Sequence, residues 1–377
     1  MWNHKYLARL DFRMVFVILA LMGISLLVIS ATTNEVQEGA FESFLTPTVK
    51  QQLRWFALGG IGYLFFAGID YQVLKKWTWL LYFAMILMLF GLFFTSAIQN
   101  VNRWYRIPGI GITIQPSEYA KLIVVIALSW FLERRERVSR SNITAIQAII
   151  IILIPFAMIL KQPDLGTSLV LFPIALVMFY IGGIKKKVIT VMSLMGISGV
   201  VFVSLMFLGI LSHDEMRPYV TKVIKEYQYE RLNPNTYHQK AAQTAIALGG
   251  LTGSGWHKSE FTEVGWLPAP HTDSVFAAYG EEFGLIGVFI LLFLFFGLIY
   301  FGFQVTAVAK DPFGRLLSAG ITVYLAVHVI VNIGMMCGFL PITGVPLVLI
   351  TYGGSSVLCT MMALGILQSI YSRRFMF

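Results

Sequence analysis

The chain has 377 residues, 57% of them hydrophobic and only 12% charged, about half the charged share of a soluble domain, which runs near 25%. Water is therefore excluded as its main solvent. The net charge of +9 does not point to nucleic acid, because no basic stripe with interleaved aromatics occurs and the charges fall between apolar runs.

A membrane-spanning helix needs about 20 mostly apolar residues, since hydrocarbon leaves every backbone N–H and C=O to be satisfied within the segment. Ten runs meet that need in chain order: 13–31, 55–69, 77–97, 119–132, 143–160, 165–183, 188–211, 284–308, 316–336 and 345–370. They predict an all-α integral membrane protein, with several helices interrupted by Gly or Pro. Lys5, Arg9 and Arg13 precede the first run, as in a signal peptide, but its length and the lack of an Ala-x-Ala end predict a retained helix.

Lys and Arg set orientation, because positive loops stay on the cytoplasmic side. With the N-terminus inside, that side holds Lys5, Arg9, Arg13, Lys75, Lys76, Arg134, Arg135, Arg137, Arg140, Lys185, Lys186, Lys187, Lys310, Arg315, Arg373 and Arg374. The short loops opposite hold Lys50, Arg54, Arg103, Arg106 and Lys161. Sixteen against five predicts that both termini are cytoplasmic and that residues 212–283, between helices seven and eight, form one large outer loop. Its own Arg217, Lys222, Lys225, Arg231, Lys240 and Lys258 sit in a loop too long to count.

No repeat of 20–50 residues and no hydrophilic linker divides the chain, so 1–377 reads as a single polytopic domain. Cys337 and Cys359 have neither metal-ligand spacing nor an obvious disulfide pairing. The long loop mixes charge, aromatics and apolar residues and is expected to be ordered against the bundle. Within it, 236–248 predicts a short helix at the outer membrane interface, stopped at Gly249-Gly250. Residues 249–256 carry neither a following Gly-Lys-Ser/Thr nor a preceding strand, so they read as a flexible turn and not as a phosphate loop.

An ionisable group inside a membrane costs about 2.5–3.5 kcal/mol on insertion scales, so each needs a reason. Glu118 and Lys121, three apart on one helix face, form either a structural ion pair that fixes packing or part of a polar cavity for a charged head group. Asp164, in the Lys161-Gln162-Pro163-Asp164-Leu165-Gly166 break, either caps the next helix or serves a cavity by binding a cation or orienting a sugar hydroxyl. His271 and Asp273, followed by Glu281 and Glu282, make the densest set of acid–base groups in the outer loop. Partial desolvation suits Asp273 to general-base work, with a helix N-cap as its plainer role. His328 and Asn332 share a helix face and suit interhelical hydrogen bonding. Arg103 and Arg106, beside Trp104 and Tyr105, suit a phosphate or an interfacial anchor.

Taken together, Arg103-Trp104, Gln115-Pro116-Ser117-Glu118 with Lys121, Gln162-Pro163-Asp164-Leu165-Gly166, His271-Thr272-Asp273, Glu281-Glu282-Phe283-Gly284, and Gly344-Val345-Pro346-Leu347 leading to Tyr352-Gly353-Gly354-Ser355-Ser356 carry a resemblance over nearly the whole chain. The sequence resembles the SEDS family of shape, elongation, division and sporulation proteins. Phe313-Gly314-Arg315, Asn332-Ile333-Gly334-Met335 and the stretch 340–346 look like its rod-shape, elongation branch.

The resemblance implies a ten-helix peptidoglycan glycosyltransferase of the bacterial inner membrane. Such an enzyme polymerises lipid II on undecaprenyl-diphosphate-linked glycan at the outer face and works with a class B penicillin-binding protein transpeptidase and other elongation-complex membrane proteins. It also implies that Asp273 matches the family's essential loop aspartate, that Glu118, Lys121 and Asp164 match polar residues of its central cavity, and that a divalent cation, Mg or Mn, assists. None of this follows from composition or spacing. Ser274 departs from the family's usual Phe, Ala269-Pro270 from an acidic-then-basic pair, and Val348 from a common Pro.

The expected site is therefore Asp273 as catalytic base, with Glu118, Lys121, Asp164, Arg103 and His271 lining a substrate cavity, and a role for Asp273 as metal ligand stays open beside that of base. Two other classes fit the same residues: a transporter of a lipid-linked precursor, given buried charges and Gly/Pro-broken helices, and a non-catalytic scaffold that activates a transpeptidase through its helix faces.

Overall fold

Asp11, Thr46, Ser141, Asp164 and Asp311 each turn a side-chain oxygen onto a free backbone N–H at the start of a long apolar helix. Pro47, Pro116 and Pro312 occupy first helical positions, where no N–H is needed. These local signals divide the apolar chain into helices in a computed structural model that describes residues 4–33, 44–95, 103–106, 113–222 and 226–375. The end of the third apolar run, residues 96–97, and Lys225 lie outside the described residues.

In chain order the helices are α1 (Phe12–Thr32), α2 (Pro47–Gly68), α3 (Val73–Gly91), α4 (Pro116–Arg134), α5 (Asn142–Lys161), α6 (Leu165–Ile181) and α7 (Lys186–Phe207). A two-stranded antiparallel ribbon, β1 (Tyr105–Arg106) with β2 (Thr113–Ile114), precedes α4. The long loop carries α8 (His213–Val220), α9 (Glu226–Glu230), α10 (Tyr237–Leu248) and α11 (Glu260–Glu263), and α12 (Val275–Val308), α13 (Pro312–Met336) and α14 (Gly354–Ser372) complete the chain. Among the described residues seven helices, α1, α3, α5, α7, α12, α13 and α14, are long and apolar enough to cross a membrane, and α6 is a shorter apolar helix. The chain is a multi-pass membrane protein.

Helices α13 and α14 are 72% buried across their apolar windows, whereas α7 is 0% buried there and stands at the rim against α6. Together α4, α13 and α14 make the centre of the bundle, where most of their side chains are enclosed. Glu118 and Lys121 on α4 are therefore in the interior.

Two apolar runs fold differently from the sequence expectation. Helix α14 begins only at Gly354, and residues 345–353 are irregular although Val345, Leu347, Val348, Leu349 and Ile350 are buried. Side chains satisfy this backbone, two from other helices and one from the stretch itself: Asn332 Nδ2 donates to the Val345 carbonyl at 2.8 Å, Ser25 Oγ to the Ile350 carbonyl at 2.8 Å, and Leu347 N donates to Thr351 Oγ1 at 2.8 Å. Non-helical backbone persists inside such a bundle only under protein cover.

The eighth run is longer than predicted. Helix α12 starts at Val275 and is broken at Gly284, whose φ of 60° and ψ of −164° are open to glycine alone. The glycine-rich segment 249–255 threads across that break. Ser254 N and Gly255 N donate to the carbonyls of Glu281 and Glu282 at 2.9 and 3.0 Å, while Leu285 N and Ile286 N donate to Gly250 and Leu251 at 2.9 and 3.1 Å. The segment expected to be a flexible turn is thus locked into the broken helix by backbone hydrogen bonds.

Candidate active site

The irregular stretch 345–353 and the 269–274 turn enclose a cavity of about 680 Å³, lined among others by Arg103, Gln115, Glu118, Asp164, Arg231, His271, Asp273 and Ser355. A second cavity of about 360 Å³, lined by Arg103, Glu230, Arg231, Thr236, His238, Asp273 and residues 342–344, adjoins it. Arg103, Arg231, Asp273 and Gly344 line both. Five of the six sequence-predicted site residues, Asp273, Glu118, Asp164, Arg103 and His271, therefore meet in one place.

Asp273 ends a turn built on Ala269, whose carbonyl accepts from Thr272 N and Ser274 N at 3.1 Å each. Tyr352 N donates to the His271 carbonyl at 3.0 Å, and Thr351 Oγ1 to the Thr272 carbonyl at 3.3 Å, so the turn is stitched to the irregular stretch. Asn332 Nδ2 donates to the Asp273 carbonyl at 3.3 Å. Among the described residues nothing hydrogen-bonds the Asp273 carboxylate itself. Burial raises its pKa above the ordinary carboxylate value, and His238, Arg231 and Arg103 pull it back.

Lys121, predicted for the cavity, lies beneath it. Its ammonium donates to Glu118 Oε1 at 2.7 Å and sits 2.8 Å from His328 Nε2, with all three side chains buried. His328 Nδ1 lies 3.1 Å from the Pro346 carbonyl, so Nδ1 carries the proton and Nε2 accepts from Lys121. Glu118 both completes the ion pair through Oε1 and lines the cavity, and its Oε2 is buried without a hydrogen-bond partner. Of the expected interhelical bonding, His328 makes its bond to Lys121 on α4, whereas its Nδ1 and the Asn332 amide are directed at the non-helical carbonyls of Pro346, Val345 and Asp273.

Asp164 likewise does two things. Oδ1 accepts Thr167 N at 3.3 Å as the α6 cap, and Oδ2 accepts Ser117 Oγ at 3.0 Å and Gln115 Nε2 at 3.2 Å on the cavity wall. Arg103 spends part of its guanidinium on the α5–α6 turn, donating to the Gln162 carbonyl at 3.1 Å and to the Pro163 carbonyl. Arg106 is exposed on the ribbon and lines neither cavity.

Glu281 and Glu282 are not acid–base partners of Asp273. Glu281 accepts Thr262 Oγ1 at 2.6 Å and Phe261 N at 3.0 Å, and Glu282 accepts Ser259 Oγ at 2.7 Å and His257 N at 3.1 Å. They pin α11 and its approach to the first half of α12. His271 faces the larger cavity with Nδ1 buried and without a partner.

Three residues of the site were not singled out as such by sequence. Arg231 borders both cavities, His238 borders the smaller, and Ser274, fully buried, lies with Oγ 2.7 Å from His238 Nε2. The helical spacing of His238 with the buried Ala241, Ala242 and Ala245 is the signal that would have turned it inward. Ser274, a departure from the family pattern, thus anchors a histidine.

Among the described residues no group of three His, Cys, Asp or Glu could hold a metal ion. Glu118 is paired, Asp164 accepts three hydrogen bonds, and Asp273 faces two guanidinium groups and an imidazole. This donor set does not fit a resident divalent cation, and the chemistry below uses none.

A model of the FtsW/RodA/SpoVE cell cycle proteins matches residues 12–374. The chain belongs to this family. Its FtsW/RodA/SpoVE relatives include the peptidoglycan glycosyltransferase MrdB of Escherichia coli K12, 34% identical over 367 residues that cover 97% of this chain and 94% of the relative. Stage V sporulation protein E of Bacillus subtilis is 32% identical over 96% of this chain and 98% of its own length. The same fold recurs in RodA, the rod shape determining protein of Thermus thermophilus, with a TM-score of 0.70, 23% identity and 97% and 98% coverage. It recurs also in a chain of a peptidoglycan synthase complex, with a TM-score of 0.74, 24% identity and 98% and 99% coverage.

Proposed function

We propose that the chain is a peptidoglycan glycosyltransferase that polymerises lipid II into glycan strands, with Asp273 as general base. The family membership and the 34% identity to MrdB over 97% of the chain support the activity. One observation carries the assignment of the base: a desolvated carboxylate, free of hydrogen bonds among the described residues, on the wall shared by two polar cavities.

Two cavities suit a reaction that joins two large lipid-linked sugars at one point. Asp273 takes the proton of the acceptor sugar's 4-hydroxyl as that oxygen forms a bond to the donor's anomeric carbon. The bond from that carbon to undecaprenyl diphosphate breaks with its electron pair, the configuration inverts, and the proton stays on Asp273. Such base catalysis contributes typically 10²–10⁴-fold. Arg103 and Arg231 flank Asp273, and their fixed donors suit the negative charge that grows on the departing diphosphate.

The asymmetry of Lys and Arg supports ten spans with both termini cytoplasmic, so that the loop of 212–283 and Asp273 face outward in the bacterial inner membrane, on the side where lipid-linked sugars are joined into wall. The motifs of the elongation branch support work beside a class B penicillin-binding protein transpeptidase and other elongation-complex membrane proteins. Likeness in fold to a chain of a peptidoglycan synthase complex agrees with such a partner.

The test is an assay of the purified protein in vesicles carrying lipid II. New glycosidic polymer on one face, without movement of lipid across the bilayer, is the expected result. Lipid movement with no new glycosidic bond would overturn the proposal in favour of a transporter.

A further inference from the structure

Each glycosidic bond leaves one proton on Asp273, and the carboxylate must lose it before the next cycle. The larger cavity offers poor takers: Glu118 is held by Lys121, Asp164 accepts three hydrogen bonds, and the guanidinium groups of Arg103 and Arg231 have no acceptor atom. His271 lines only that larger cavity and not the smaller one, in which Glu230 stands.

The smaller cavity differs. Asp273 shares it with His238 and with Glu230, whose side chain is exposed. His238 stands in the first turn of α10, where Thr236 caps the helix by accepting Gln239 N at 3.3 Å. Its Nε2 lies 2.7 Å from the Oγ of Ser274, the residue next to Asp273 in the chain. One hydrogen bond thus holds the imidazole and the base on the same wall, beside a route to exposed surface.

We infer that His238, anchored by Ser274, is the proton carrier that unloads Asp273 after each glycosyl transfer. This rests on the general-base reading of Asp273. With Nε2–H donating to Ser274 Oγ, the lone pair of Nδ1 is the accepting atom. The Asp273 O–H bond breaks, the N–H bond forms, and the imidazolium then gives its proton to water near Glu230, so the enzyme returns to its starting state with one proton released. Burial lowers the His238 pKa, and the Asp273 carboxylate raises it once the proton has left that group. Besides each other, the charged groups facing this pair are Arg103, Arg231 and Glu230 in the smaller cavity and Glu118, Asp164 and the titratable His271 in the larger.

The experiment measures lipid II polymerisation by His238→Gln and Asp273→Asn, with imidazole buffer varied at constant pH. For H238Q a loss of kcat on the order of ten-fold is expected at unchanged KM, less than the 10²–10⁴-fold of a group that takes the substrate proton itself, and added imidazole restores most of it. D273N loses at least about 10²-fold in kcat and does not respond to imidazole. Wild-type kcat of H238Q in every buffer, or a loss that imidazole leaves untouched, overturns the carrier role. Polymerisation by D273N at the wild-type rate would instead sink the base reading. If H238Q does not fold, Ser274→Ala keeps the imidazole but frees it, and the same imidazole response is read there; its absence also overturns the proposal.

Discussion

Asn332 donates from Nδ2 to the backbone carbonyl of Asp273 at 3.3 Å, and to that of Val345 at 2.8 Å. One amide on α13 therefore ties the turn that carries the base to the irregular stretch across the cavity. Asn332→Leu leaves two carbonyls without that donor, at about 1–3 kcal/mol for a buried group left unsatisfied. A lower melting temperature is expected together with a fall in kcat that exceeds any change in KM. Wild-type kcat at reduced stability would show that the tether does not position Asp273.

Lys121 neutralises Glu118 at 2.7 Å in the middle of the bundle. Lys121→Met leaves a buried carboxylate unpaired, a loss of about 3–5 kcal/mol. Adding Glu118→Gln removes the stranded charge, so thermal melting of the double variant should recover most of the loss. Equal destabilisation of the single and double variants would show that the pair is not what holds α4 here.

The break in α12 depends on one glycine. A Cβ at Gly284 would stand 2.8 Å from the carbonyl C and O of Leu251 and would clash with Gly253 N, at a φ of +60° that L side chains avoid. Gly284→Ala is expected to lower yield and melting temperature well beyond the roughly 1–3 kcal/mol of backbone strain alone. Gly23→Ala, with nothing within 4 Å of the added carbon, is the matching control and should melt near wild type.

A raised Asp273 pKa has a definite sign in the rate. The base works only when ionised, so activity should fall as pH drops through a value above that of an ordinary carboxylate. Arg231 favours the ionised form, so Arg231→Gln raises the pKa further and moves the acidic limb to higher pH. A limb that stays put, or moves down, in the pH–rate profile would contradict the electrostatics.

Length of apolar runs made the helices legible, because a spanning segment has to satisfy its own backbone. The same rule misread 345–353, where Asn332, Ser25 and Thr351 supply the hydrogen bonds that a helix would have supplied. Nor could local sequence show that 249–255 locks the break at Gly284, since those four backbone bonds join residues some 30 positions apart. Glu118, Lys121, Asp164 and Asp273 were each visible as charges needing a reason. Only the family resemblance ranked Asp273 above Glu281 and Glu282, whose partners in 257–262 become apparent once the loop has folded. His238 and Arg231 carried no motif, and tertiary structure alone brings them to the base.

The most direct measurement is lipid II polymerisation by purified Asp273→Asn alongside its binding of lipid II and its melting temperature. Loss of at least about 10²-fold in kcat, the lower end for a general base, with binding and melting near wild type, is the expected result. Polymerisation at the wild-type rate by a correctly folded Asp273→Asn would contradict the assignment of Asp273 as the base.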